Sequence, residues 1–270
     1  MADFQPKTGP SEAGADGRYR RILGVRFFVG NAAEAVKIGA RGGLVVVPAA
    51  PALVELAHDR EYREALLGAD LVITDSGFMV LLWNTMTRDR IQRASGLEYL
   101  KILLARPEFC APGAALWVMP SEQSRQRNLD WLKSQGYPIS AEDTYVAPKY
   151  GSGAIVDAAL LNLLRVRQSR HVIIGLGGGV QEKLGLYLRK HGAPGISIHC
   201  IGAAIGFLSG DQVRIPDWAD KWKLGWLFRC AANPRRFVPR YVKALRLPVA
   251  LWRYHDRMPE LQAVATPARD

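Results

Sequence analysis

Residues 68–77 read GADLVITDSG. The apolar run from Leu71 to Ile73, bounded by turn residues, has the pattern of a short strand buried on both faces, and such strands belong to parallel sheets. Parallel sheets of the open α/β kind bind ligands in the turns at the carboxyl ends of their strands. Asp75 stands in such a turn, just before Ser76 and Gly77. Two readings stay open from the residues alone. Asp75 is the N-cap of the helical run that follows, or it is a general base able to take a proton from an incoming hydroxyl without a metal.

Working outward from this strand, short β-rich runs alternate with longer helical ones from Ile22 onward. GGLVVVP, ADLVIT, AALWVM, TYVA, HVIIGL and SIHCIG read as strands. Between them PALVELAHDREYREALLG, GFMVLLWNTM, SEQSRQRNLDWLKSQG, AIVDAALLNLLRVRQ and the stretch from Gln181 to Lys190 read as helices. That order predicts an α/β fold with a Rossmann-like, mostly parallel sheet covered by helices.

The expected layout is a flexible tail over 1–18, the core over 19–210, a helical appendage over 211–258 and a second tail over 259–270. In the appendage, Pro216, Pro234, Pro239 and Pro248 cut the chain into short helices. The core's strands and helices are complete by Gly210, so the core is expected to stand without the appendage.

The 270 residues are 49% hydrophobic and 23% charged, enough apolar material for one large core. With 36 basic against 25 acidic residues, the net charge of +11 favours anionic partners. Nucleic acid is not expected among them, because no recognised binding module or aromatic platform accompanies the charge. Cys110, Cys200 and Cys230 are far apart and odd in number, which suggests neither disulfides nor a C-x-x-C site and fits a reducing cytoplasm. No run of ~18 or more uncharged apolar residues occurs, and the polar start is unlike a signal peptide, so no membrane span is expected.

The run GLGGGVQEK, from Gly175 to Lys183, follows a strand and opens a helix. Clustered glycines around Gly177 allow close backbone approach, and the helix N-terminus favours a phosphate. It is not a dinucleotide fingerprint, since the last glycine of G-x-G-x-x-G falls on Val180. Gln181 and Glu182 are unusually polar for the opening of a helix that only turns a corner. Arg93, in RDRIQRASGLEYL, is either a solvated charge or a group that holds a pyrophosphate or orients a carboxylate.

The five histidines, His58, His171, His191, His199 and His255, show no metal-ligand spacing, and there is no P-loop, G-x-S-x-G elbow or D-x-D pair. Zinc chemistry, hydrolase chemistry and a resident cofactor are therefore not expected. In the appendage, Trp218, Trp222, Trp226 and Trp252 mix with Lys221, Lys223, Arg235, Arg236, Arg240, Lys243 and Arg246. That is the composition of an interfacial helix on an anionic membrane surface.

Five stretches in order, ADLVITDSG, QRASGLE, GLGGGVQE, IGFLSG with RIPDW, and GWLFRCAANPRRFVPRY, resemble the WecG/TagA/CpsF glycosyltransferases (family 26). The corresponding family patterns are ADLV-x-PDG, E-R-x-T-G-x-D, GLG-x-P-x-QE, F-D-F-L-x-G with R-x-P-x-W, and EWLYRLL-x-EPRRL-x-RRY. The resemblance implies transfer of a sugar from a UDP-sugar to a polyprenyl-diphosphate-linked saccharide. It implies inversion, no bound metal, and action at the inner face of the cytoplasmic membrane.

By the same resemblance the proposed base falls on Asp75. Substrate-binding roles fall on Arg93, Gly177, Gln181 and Glu182, and on Arg229, Arg235 and Arg236, the last three over the lipid diphosphate. A homo-oligomer stays open. The family's T-x-N-x-E segment falls on Val47, Ala49 and Pro51, and Gly225 stands where a glutamate is usual. These departures set a second expectation beside the first, a family member that binds the lipid-linked saccharide as a non-catalytic scaffold.

Overall fold

The chain enters its sheet through a hairpin. In the computed structural model, which describes residues 17–212, 230–231 and 233–262 but not the side chains of Arg236 and Phe237, β1 (Tyr19–Ile22) pairs antiparallel with β2 (Val25–Phe28). The two-residue turn has φ of 49° at Leu23 and 76° at Gly24, the left-handed values that match the twist of a tight hairpin. Glycine is required at position 24 by a neighbour as well, because a Cβ there would stand 2.6 Å from Met258 Cβ.

The apolar runs then form β3 (Gly43–Val46), β4 (Leu71–Ile73), β5 (Ala115–Met119), β6 (Thr144–Val146), β7 (His171–Ile174) and β8 (Ser197–Cys200). They assemble in the order β1-β2-β4-β3-β8-β7-β5-β6, and every pairing beyond the hairpin is parallel. The expected α/β fold with a mostly parallel sheet is what forms. The inner strands β4, β5, β7 and β8 are buried at every position, which is why their sequences run apolar instead of alternating.

Helices cover both faces. One side carries α1 (Ala32–Gly39), α5 (Gly96–Leu104), α6 (Glu122–Ser134) and α9 (Ala204–Ser209), packed on Val45, Ile73, Trp117 and Ile173. The other carries α2 (Ala50–Leu53), α3 (Arg60–Leu67), α4 (Gly77–Met86), α7 (Ala158–Arg167) and α8 (Val180–His191), packed on Leu44, Val72, Val118 and Ile198. Alternate residues of one strand thus serve two cores.

Three helices, α1, α5 and α9, were not read from the sequence, and two that were have different bounds, each set by an aspartate. The run from 51 to 68 is broken: α2 passes into a 3₁₀ turn at Val54–Ala57, and Asp59 then caps α3 by accepting the Tyr62 amide at 2.8 Å. Likewise α7 starts at Ala158 because Asp157 accepts the Leu160 amide at 2.9 Å. Asp157 also accepts the hydroxyls of Tyr145 and Tyr150, tying the edge strand β6 to this cap.

The C-terminal helices α10 (Pro234–Ala244) and α11 (Leu247–Tyr254) do not hang free of the core. Ala244, Leu247 and Leu251 are buried in the same cluster as α2 and α4. Beyond α11, the Leu23 amide donates to the His255 carbonyl at 2.8 Å and the Gly24 amide to Asp256 at 3.0 Å. The Arg63 guanidinium reaches the Pro259 carbonyl, and the Gln262 amide reaches Ala57 at 2.8 Å. The start of the expected tail at 259–270 is therefore docked, and 263–270 lie outside the described residues, as do residues 1–16 of the expected N-terminal tail. No helix among the described residues is long and apolar enough to cross a membrane.

Candidate active site

β4 ends at Ile73, and the turn that follows lifts Asp75 to the carboxyl edge of the sheet with its side chain 25% exposed. Asp75 is not the cap of the helix after it. Ser76 takes that place, its Oγ accepting the Met79 amide at 3.2 Å. The Asp75 carboxylate turns across the chain, where Oδ1 accepts the Gly96 amide at 2.8 Å, the first N–H of α5. Ser95 caps α5 from the other side by accepting the Leu97 amide at 3.3 Å. Asp75 thus leans on a helix N-terminus that is not its own, and the Gly96 amide fixes the direction of its carboxylate.

Arg93 reaches the same turn. Its Nε donates to the Asp75 carbonyl at 2.7 Å, and Nη2 lies 3.7 Å from Asp75 Oδ1. Arg93 is thus held to the Asp75 main chain, with its guanidinium within ion-pair distance of the carboxylate. Val47, just past β3, closes the inner wall, its Cγ2 within 3.4 Å of a Cβ placed on Gly96. Beside the loop that carries Arg93 opens a polar cleft of about 330 Å³, lined in part by Arg20, Asn31, Glu34, Arg90 and Gln92.

The glycine run lies at the carboxyl end of β7, two strands along the sheet from β3. Gly175 extends the ladder to Val118, Gly179 takes φ of 91° to start α8, and a Cβ on Gly177 would meet nothing within 4 Å. This leaves an open backbone surface at a helix N-terminus. Gln181 and Glu182 lie beneath it, 2% and 0% exposed. Gln181 Oε1 accepts the Gly202 amide at 2.7 Å and its Nε2 donates to Glu182 Oε1 at 3.1 Å. Glu182 Oε2 accepts the Gly179 amide at 2.6 Å. The pair clasps the turn after β7 to the turn after β8, and burial pushes the Glu182 carboxyl above the usual range, towards its neutral form.

The structure brings Asp75 and Arg93 together and sets Gly177, Gln181 and Glu182 along the same sheet edge. Arg235 is exposed on α10, which packs against α2. Arg229, Trp218, Trp222, Trp226, Lys221, Lys223 and Gly225 lie outside the described residues, and so does the side chain of Arg236. On the described helices, Val238, Val242, Leu245, Val249 and Trp252 are exposed, Trp252 by 80%. Arg246 and Arg253 stand exposed among them. No group of three or more His, Cys, Asp or Glu side chains is placed to hold a metal ion among the described residues.

Sequence reasoning missed the part played by Ser95 and Gly96. The signal was present: SGLE at 95–98 has the S-x-x-E spacing of a helix start, which places a set of free amides within reach of Asp75.

Residues 20–261 match the family model described as "Glycosyl transferase WecG/TagA/CpsF family". Over 191 residues, 68% of this chain and 71% of the relative, the sequence is 25% identical to the N-acetylglucosaminyldiphosphoundecaprenol N-acetyl-beta-D-mannosaminyltransferase of Bacillus subtilis (strain 168).

Proposed function

The chain belongs to the WecG/TagA/CpsF glycosyl transferase family, and on that premise we propose that it moves a sugar from a UDP-sugar to a polyprenyl-diphosphate-linked saccharide. In this reading the anomeric carbon inverts, no divalent ion takes part, and the product enters a surface polysaccharide or glycolipid. The printed name of the Bacillus relative, whose acceptor is a sugar on undecaprenyl diphosphate, supports the acceptor class.

The observation that carries the proposal is the Asp75 carboxylate, a quarter exposed at the sheet's carboxyl edge, held by the Gly96 amide and with Arg93 beside it. Asp75 takes the proton of the acceptor hydroxyl as that oxygen attacks the anomeric carbon. The new C–O bond forms on one face while the bond to UDP breaks on the other, its electron pair leaving with the diphosphate, so a single displacement inverts the centre. The open backbone at Gly177 and the N-terminus of α8 receive the departing diphosphate. Gln181 and Glu182 support this turn from below, acting through its shape. Binding of the acceptor's diphosphate is assigned to Arg229, Arg235 and Arg236.

Membrane association at the inner face of the cytoplasmic membrane is part of the same reading. The exposed Val242, Leu245, Val249 and Trp252, set among Arg246 and Arg253, suit a surface that enters headgroup depth on an anionic leaflet. A purified full-length chain assayed with a panel of UDP-sugars and short-chain polyprenyl-diphosphate saccharides, reading UDP release and product, tests the proposal.

The apolar Val47 beside Asp75 favours keeping a second reading, a non-catalytic scaffold. It predicts binding of the lipid-linked saccharide with no UDP release for any donor, and the same assay separates the two.

A further inference from the structure

The Thr74 hydroxyl, on a residue that is 0% exposed, grips the chain on both sides of Arg93. It donates to the Gln92 carbonyl at 2.7 Å and accepts the Ala94 amide at 3.3 Å. Thr74 is covalently joined to Asp75, and Arg93 returns to the Asp75 carbonyl at 2.7 Å. A closed circuit results: Thr74 to the peptide groups flanking Arg93, Arg93 to Asp75, and Asp75 back along the backbone to Thr74.

We propose that Thr74 is a positioning residue for the transfer reaction, holding Arg93 in the one orientation that aims the Asp75 carboxylate. The role rests on Asp75 being the base. Inside the protein a hydroxyl that both donates and accepts is a stiff link, because no water competes for either partner. Without it, the Gln92 carbonyl and Ala94 amide lose their buried partner, and the loop must move to find others. Any such movement is passed straight to Arg93, which lies between them. The family pattern quoted above has proline at this position, which has no side-chain hydrogen bond to give. The clamp is therefore a feature of this chain.

The test uses the full chain with Thr74→Val, which keeps shape and removes the hydroxyl, and Thr74→Ser, which keeps the hydroxyl. Thr74→Ala serves in place of valine should that variant fail to fold. The first readout is hydrogen exchange at the Arg93 Nε–H, its NMR signal assigned by loss in Arg93→Lys. Valine is expected to speed this exchange about 10-fold or more, with serine within about 3-fold of wild type. The second is transfer kinetics, where valine is expected to lower kcat about 10-fold or more, leave the donor KM within about 3-fold, and be rescued by serine. A purely structural Thr74 would alter stability without moving the Arg93 exchange or splitting kcat from KM. Wild-type Arg93 exchange in the folded valine or alanine variant overturns the proposal. A wild-type chain that releases UDP from no donor overturns the assigned reaction instead, and the Arg93 exchange still decides the clamp.

Discussion

Asp75 Oδ1 and the Gly96 amide meet at 2.8 Å, joining the end of β4 to the first turn of α5 across 21 residues of chain. An asparagine oxygen at position 75 can accept the same N–H. Asp75→Asn is therefore expected to keep the fold, with a thermal midpoint within about 3 °C of wild type. It loses the basicity, and turnover should fall about 10²-fold or more. Calorimetry with UDP-release kinetics checks both halves, and wild-type turnover would remove Asp75 from the mechanism.

The clasp beneath the glycine turn is expected to register first in stability. Gln181→Leu strips the half-buried Gly202 amide of its acceptor and the buried Glu182 of a donor, which should cost about 1–3 kcal/mol in urea unfolding. Glu182→Gln keeps size and one acceptor for the Gly179 amide, and a smaller loss is expected there.

Activity should survive EDTA nearly unchanged. In the reaction as proposed, the departing charge is met by backbone amides and arginines, with no carboxylate pair assigned to a divalent ion. Activity that vanishes with chelation and returns with Mg²⁺ or Mn²⁺ would contradict that assignment.

Acid should weaken the fold in a definite window. Tyr99 Oη lies 2.8 Å from His199 Nδ1, and His199 Nε2 lies 3.1 Å from His171 Nδ1, in the core under α5. Burial pulls His171 from 6.5 down to about 4, against the opposing pull of Glu108, and burial also lowers His199 well below its ordinary value. Between these values the unfolded chain binds more protons than the folded one, so stability falls as pH drops from about 6.5 towards 4. His171 alone accounts for at most about 3 kcal/mol. Urea unfolding at pH 7, 5.5 and 4.5 is expected to show the loss, with a shallower slope in His171→Gln. Asp70 and Asp143 are held low against the opposing effect of burial, Asp70 first by Arg189 and Asp143 by the Ser140 amide and then Arg167, and they add their own loss only at lower pH, within and below the usual carboxylate range.

The C-terminal helices are best tested on their outer face. Replacing Val242, Val249 and Trp252 by serine removes exposed apolar groups and touches none of the buried Ala244, Leu247 or Leu251. The variant should fold normally and lose most cosedimentation with anionic vesicles. A cut after Gly210 is the wrong instrument, because it strips two buried leucines worth about 1.5–3 kcal/mol each and the backbone bonds to Leu23 and Gly24. That fragment is expected to unfold at much lower urea than the full chain.

The sheet was legible because the inner strands are buried on both faces, and continuous apolar runs such as LVI at 71–73 and HVII at 171–174 have few other uses. The place of Asp75 at the sheet's carboxyl edge was legible for the same reason, as the first charged residue past such a run. What could not be read were partners far apart in sequence. Nothing local announces that Ser76 caps α4 and frees Asp75 for α5, or that Gln181 faces inward to Gly202. The docking of Leu247 and Leu251 was hidden by their neighbours, since arginines and an exposed tryptophan on the same helix give it a surface composition.

The hairpin turn at Leu23 and Gly24 finds its hydrogen-bond partners in His255 and Asp256, far later in the sequence. Synthesis runs from the N-terminus, so this turn at the edge of the sheet stays unfinished until Asp256 has emerged. The helices that present Trp252 are settled against the core in that same closing step. A nascent chain therefore completes its sheet edge and the exposed apolar face around Trp252 together.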